Sequence, residues 1–297
     1  MQLYLENNKE LKLASLAEAE EAESTKLPIP VRCVECIGGT GNIQQVRFQG
    51  SDEFEGFIDF NEMAFNADGR PVKSISAYEC LGKQIWVCVG RDASTLELEY
   101  SRRRAQEMAY EHITKELDKG EVLDCTVRSI GEIGVFVDCG YGLVGLIPSQ
   151  RIGISGRDNK HYDFYPGQKV KAVYYGKNRH GVLLSTREVF GTFKQITASM
   201  VVGNIYEGIV IGKTDSKVVV ELTPNLSSIV KTPIADTFEV GTTVKVKLNS
   251  INNDRQQVGC SILSGEKARE FKKLVTGDYY KPVVDKLEVP FDEWKMR

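Results

Sequence analysis

No apolar run in these 297 residues approaches the ~20 residues a bilayer-crossing helix needs. The chain's start also lacks the basic-then-apolar order of a secretory signal. Histidine is scarce: His112, His161 and His180 are the only three, and none has a carboxylate or nucleophile at a recognisable motif spacing. A Gly-x-x-x-x-Gly-Lys-Ser/Thr loop, a Gly-x-Ser-x-Gly elbow and a His-Glu-x-x-His pair are all missing. These absences give the expectation of a cytoplasmic protein that is not an enzyme, takes no cofactor and makes no membrane contact.

A strong charge of one sign is missing too, the net charge being −3. By segment, Lys and Arg stand against Asp and Glu as 3 to 6 in residues 1–27, 6 to 11 in 28–100, 15 to 11 in 101–200, 6 to 6 in 201–264 and 8 to 7 in 265–297. Only the middle is basic, and phosphate binding draws on locally clustered charge, so the near-neutral total does not exclude it. The seven cysteines are an odd number spread over a long chain, which fits buried reduced thiols better than a disulfide framework. Cys33-x-x-Cys36 has zinc or redox spacing, but Val31 to Ile37 reads as a strand, where residues three apart point to opposite faces, so no metal site is expected.

What the chain does contain is one plan restarted three times. A glycine opens a strand with apolar residues at offsets three and five in Gly82-Lys-Gln-Ile85-Trp-Val87, Gly167-Gln-Lys-Val170-Lys-Ala172 and Gly241-Thr-Thr-Val244-Lys-Val246. A strand closing on serine follows each, at Ser101, Ser185 and Ser261. Repeats two and three also open alike, Gly120-Glu-Val-Leu-Asp-Cys-Thr-Val127 beside Gly203-Asn-Ile-Tyr-Glu-Gly-Ile-Val210. Each unit supplies about five short strands, the size of an OB-type barrel.

The expected fold is therefore mostly β: three tandem five-stranded OB-type barrels joined by short helices. Residues 1–27 form an acidic arm or helix, 28–100 barrel one, 101–119 a connector helix with Ala105, Met108, Ala109 and Ile113 on one face, 120–190 barrel two and 201–264 barrel three. Residues 265–297 are expected as a second helix and a docking tail carrying Tyr279, Tyr280 and Trp294.

Repeat two continues with Gly134-Val-Phe136-Val-Asp138, Gly145-Leu-Ile-Pro-Ser149, Tyr165-Pro-Gly-Gln-Lys-Val-Lys171 and Leu184-Ser-Thr-Arg187. In order and spacing this closely resembles the S1 domain, the RNA-binding barrel of bacterial small-subunit ribosomal proteins, and repeats one and three look like divergent members. The resemblance implies non-catalytic binding of single-stranded RNA across one barrel face by strand aromatics, a histidine and an Asp/Arg pair. Phe136 matches the second family aromatic, whereas Ile133 stands at the first, Pro148 at the histidine, and Lys177 and Gly181 near the Asp/Arg positions. Asp138 and Asp163 could be imagined as a carboxylate pair for nuclease metals, but Asp138 matches a common polar position of the family's second strand.

Base stacking needs flat side chains beside cations for the backbone. The candidate nucleic-acid-binding residues are Phe136, Tyr141, Arg151, Lys171, Tyr175, Lys177, Arg179 and His180. The loop from Gln150 to Tyr165, with Arg157, Lys160, His161, Tyr162 and Phe164, mixes aromatics with bases as a surface loop would, and Arg102-Arg103-Arg104 read as solvated. Repeat three has Val219 at the Phe136 position and repeat one is acidic, so both are expected to act as spacers or to dock the ribosome or another protein. Two rival readings use the same residues: a protein scaffold docking a ribosomal, transcriptional or phage partner, and single-stranded DNA binding.

Overall fold

The structure, a computed structural model, describes residues 1–6, 11–39, 42–117, 120–179, 181–267, 278–284 and 287. Its strands are β1 (Ile29–Gly39), β2 (Asn42–Gln49), β3 (Glu55–Asp59), β4 (Gln84–Arg91), β5 (Leu98–Ser101), β6 (Val122–Gly131), β7 (Gly134–Asp138), β8 (Val144–Pro148), β9 (Lys169–Asn178), β10 (Gly181–Ser185), β11 (Ile205–Thr214), β12 (Lys217–Thr223), β13 (Leu226–Lys231), β14 (Thr243–Asn252) and β15 (Gln257–Lys267). The helices are α1 (Leu16–Thr25), α2 (Ser74–Tyr78), α3 (Arg102–Glu111) and α4 (Phe193–Ala198). A π turn, His112–Glu116, continues α3.

These strands form three five-stranded barrel-like sheets of one topology: β3-β2-β1-β4-β5, the closed barrel β10-β8-β7-β6-β9, and β13-β12-β11-β14-β15. In the middle barrel the third and fifth strands pair in parallel, Val182 with Gly145 and Leu183 with Leu146. In the outer two sheets the equivalent strands, β3 with β5 and β13 with β15, also lie side by side.

The repeated glycine has a backbone reason. Gly82, Gly167 and Gly241 take φ of +74°, +88° and +92°, where a side chain is strained, and each sits two residues before its strand. Their N–H groups donate to the carbonyls of Cys33, Val127 and Val210, and those three residues donate back to the carbonyls of Lys83, Gln168 and Thr242. One two-bond lock thus sets the register of the first and fourth strands in all three sheets. Just beyond it, β1 and β11 each carry a bulge, between Cys33 and Glu35 and between Val210 and Gly212. The first bulge corrects the cysteine expectation. The extra residue resets the alternation, so Cys36 packs on the same core as Cys33, and burial pushes the Cys33 thiol up to about 12. The described residues contain no cluster of three or more His, Cys, Asp or Glu side chains able to hold a metal.

The chain packs as two compact units, one of Met1–Asp118, Phe136–Leu146 and Gly176–Leu183 and the other of Lys119–Val135, Ile147–Tyr175 and Leu184–Arg297. In the first unit, Phe48 lies edge-on to Phe54 and Tyr100, and Ala19 and Ala22 of α1 join the core. β4 is buried on both faces because Tyr4 stacks on Trp86 at 4.8 Å and Met108 of α3 lies on Cys88. Ser101 ends β5 because its hydroxyl also caps α3, accepting from the Arg104 amide at 2.9 Å. Arg104 is exposed as expected, but Arg102 and Arg103 are committed to structural ion pairs. Arg102, only 2% exposed, pairs with Glu6 at 2.7 Å and donates to the Met63 carbonyl, while Arg103 pairs with Glu62. Asp138 is buried as well, accepting from the amides of Glu6, Gly140 and Gly142.

In the second unit a buried network centres on Glu221 of β12, which is fully enclosed. It accepts from Ser155, from the Arg157 guanidinium at 3.1 Å and from the Tyr279 hydroxyl. Arg157 also pairs with Asp163, and the Tyr280 hydroxyl donates to that carboxylate while its ring packs on Phe164 and Phe190. Asn225 ties the same loop down, accepting from the Ile154 amide and donating to the carbonyls of Arg187 and Gly191. A helix after Ser264 is not observed at its start, where β15 runs to Lys267; residues 268–277 and Trp294 lie outside the described residues.

Gly241 and Arg157 should differ in what they contribute to stability. Gly241→Ala should cost on the order of 1–3 kcal/mol, because its surroundings are open and only the backbone angle resists the methyl group. Arg157→Ala should cost about 3–5 kcal/mol, since it leaves two buried carboxylates without their cation. Denaturant titrations of both variants measure these losses, and a smaller loss for Arg157→Ala than for Gly241→Ala would contradict the order.

Candidate nucleic-acid interface

Phe136 is the middle residue of β7, between Val135 and Val137, both fully buried in the barrel. Strand alternation turns the phenylalanine to the other side, where it is partly exposed. In the same unit Lys177 is exposed, with its ammonium 5.7 Å from the Tyr110 ring centroid, and Arg179 is exposed in the β9–β10 turn. His180 lies outside the described residues.

Tyr141 corrects an expectation. It is 2% exposed, its ring packs against Trp86 and Tyr4, and its hydroxyl donates to the Gln2 carbonyl at 3.0 Å. A ring enclosed this way presents no face to a base. It takes a φ of +51° in the turn after Asp138.

In the second unit, Tyr174 is the buried member of the tyrosine pair and Tyr175 the partly exposed one. The Arg151 guanidinium lies 4.5 Å from the Tyr175 ring centroid, a cation–π contact. Arg151 is held at its backbone, its carbonyl accepting from the amides of Thr186 and Arg187, while its side chain reaches only to within 3.7 Å of Glu188. Lys171 pairs with Asp124 at 2.9 Å, so part of its charge is answered within the protein.

The loop after β8 is not the open basic surface its composition implies. Lys160, His161 and Phe164 are buried, Arg157 is committed to the Glu221 network, and the Ser149 hydroxyl bonds His161 Nδ1 at 2.8 Å. Burial lowers the Lys160 ammonium to about 8. Tyr162 and Tyr165 are the loop's exposed rings.

The outer sheets differ at the equivalent face. The register that pairs Val210 with Val220 in the third sheet pairs Cys33 with Phe48 in the first, so the Phe136 position is Val219 in one and Arg47 in the other. Arg47 is bracketed by Glu35 and Glu55 at 3.0 and 3.1 Å. Opposite it stands Phe57, 46% exposed, and opposite Val219 stands Ile229, 65% exposed. Phe57 is therefore not a core residue.

The S1 RNA binding domain family model matches residues 116–179. The small ribosomal subunit protein bS1 homolog of Bacillus subtilis is 27% identical over 165 residues, 51% of this chain and 43% of that protein. The bS1 homolog of Bacillus cereus is 29% identical over 180 residues, 54% of this chain and 45% of that protein. The matches thus span less than half the length of these curated relatives. A multidomain protein with nucleic acid binding domains from Streptococcus pneumoniae aligns over 82% of this chain and 75% of its own, at 12% identity and a TM-score of 0.26. The chain resembles the S1 RNA-binding domain family, as three tandem barrels of which the middle one carries the match.

Proposed function

We propose that this protein is a non-catalytic binder of single-stranded RNA that works through its middle barrel in the cytoplasm, in translation or mRNA handling. The observation that carries this reading is Phe136, an aromatic turned outward between two buried valines in the barrel that matches the S1 RNA binding domain. A partly exposed ring can stack on a base of any identity. The exposed cations Lys177 and Arg179, with Arg151 over Tyr175, supply charge for the phosphates. Lys171 contributes less, being paired with Asp124, and His180 completes the basic turn in sequence. The outer sheets take a different part. Phe57 beside a glutamate-bound Arg47, and Ile229 beside Val219, suit protein docking to the ribosome or another partner better than a polyanion. No helix among the described residues is long and apolar enough to cross a membrane.

The full chain should bind unstructured polyuridine with about micromolar or weaker affinity that falls as salt rises. Phe136→Ala should cost on the order of 1–3 kcal/mol of that affinity and leave the melting temperature nearly unchanged. The double change Lys177→Ala, Arg179→Ala should flatten the salt slope by about one unit for each phosphate no longer held. Anisotropy titrations at two salt concentrations, with melting curves for each variant, read all three. Absent binding at low salt would favour the scaffold reading, and early unfolding of Phe136→Ala would return that ring to the core.

A further inference from the structure

One buried carboxylate oxygen beside the proposed binding residues has no hydrogen-bond partner among the described residues. Glu188 lies three residues beyond the end of β10 and is 2% exposed. Its Oε1 is 3.7 Å from Arg151, beyond hydrogen-bond distance, and its Oε2 is enclosed with no hydrogen-bond partner among the described residues. Buried acceptors are ordinarily satisfied, so an orphaned carboxylate oxygen in a polar cluster calls for an explanation.

The cluster around it has a definite chemistry. Arg151 lies over the Tyr175 ring on one side and approaches Glu188 on the other. Arg187 donates its amide to the Arg151 carbonyl and its Nε to the Gly153 carbonyl, both at 3.2 Å, and its pKa is lowered first by burial and then by the nearby Arg151 charge. Guanidinium groups so placed suit a phosphate, which they can hold through several N–H donors. The unsatisfied oxygen calls for a donor. The Arg151 guanidinium lies between the Tyr175 ring and Glu188 without a hydrogen bond to the carboxylate, so an anion that draws it outward would uncover Glu188.

We infer that Arg151, Arg187 and Glu188 form a ribonucleotide-selective subsite, in which the arginines hold a backbone phosphate and Glu188 accepts a hydrogen bond from a ribose 2′-hydroxyl. A ribonucleotide carries an anion and a neutral donor close together, and a deoxyribonucleotide carries only the anion. This inference rests on the RNA-binding reading above and adds the group through which RNA would be told from DNA.

The test uses the full chain and three uridine oligonucleotides of about ten nucleotides, a length within the usual range of such barrels. One carries ribose, one deoxyribose and one 2′-fluororibose, which cannot donate. The wild-type protein should bind the ribose form roughly tenfold more tightly than the other two, the size expected of one hydrogen bond to a charged acceptor. Glu188→Met, which keeps the length and removes the acceptor, should bring the three affinities together at about the deoxyribose level. Equal binding of ribose and 2′-fluoro forms by the wild-type protein overturns the subsite without needing the variant to fold, and so does an unchanged ribose preference in Glu188→Met. Salt-dependent binding of all three forms without preference leaves the nucleic-acid-binding function standing and removes only the ribose interaction. Failure to bind any of them removes both.

Discussion

The carboxylate of Glu221 is the constraint on which the second unit depends. A charge taken fully out of water costs several kcal/mol unless cations and hydrogen bonds replace its hydration. The replacement, Arg157 and Ser155 in the long loop and Tyr279 in the tail, joins three separate stretches of chain, Glu221's own strand being the third. None of these stretches can leave without stranding the others. A loop that would otherwise be a solvated excursion is therefore folded against the third barrel.

The same strand position is used in the same way in the other unit. Asp138 ends β7 as Glu221 lies near the end of β12, each just after buried valines in its barrel's second strand. Asp138 gathers the amides of Gly140, Gly142 and Glu6, and Glu6 in turn neutralises the buried Arg102. The counterpart in the first sheet is Gln49, which is exposed and uncharged. Where the second strand carries a buried carboxylate, then, a flanking segment is fastened to it: the residues before α1 in one unit and the tail tyrosines in the other.

Much of the fold was legible because its rules are local. A glycine at positive φ ahead of each fourth strand follows from backbone sterics, and strand alternation puts Phe136 on the face opposite the buried Val135 and Val137. What could not be read depended on partners far along the chain. Tyr141 is covered by Tyr4 and Trp86, and Arg157 is claimed by Glu221 and Tyr280, so an aromatic and a cation that look available in sequence are both spent on packing. Cys36 escaped for a different reason: a single bulge residue reverses the period that the eye extrapolates. Glu188 gave no signal at all, since a glutamate after a strand is ordinary until its burial and its unpartnered oxygen are seen.

The tail tyrosines also bear on where this chain can be divided. A fragment ending with β15 would contain every strand of the third barrel and would look like a complete domain by strand count. It would nonetheless open the seat of Tyr279 and Tyr280, admit water to Glu221 and Asp163, and remove the hydrogen bonds that the Val283 and Val284 amides donate to the Val189 carbonyl. The natural unit of dissection is thus not the barrel. It is the barrel together with the few residues that seal its buried charge.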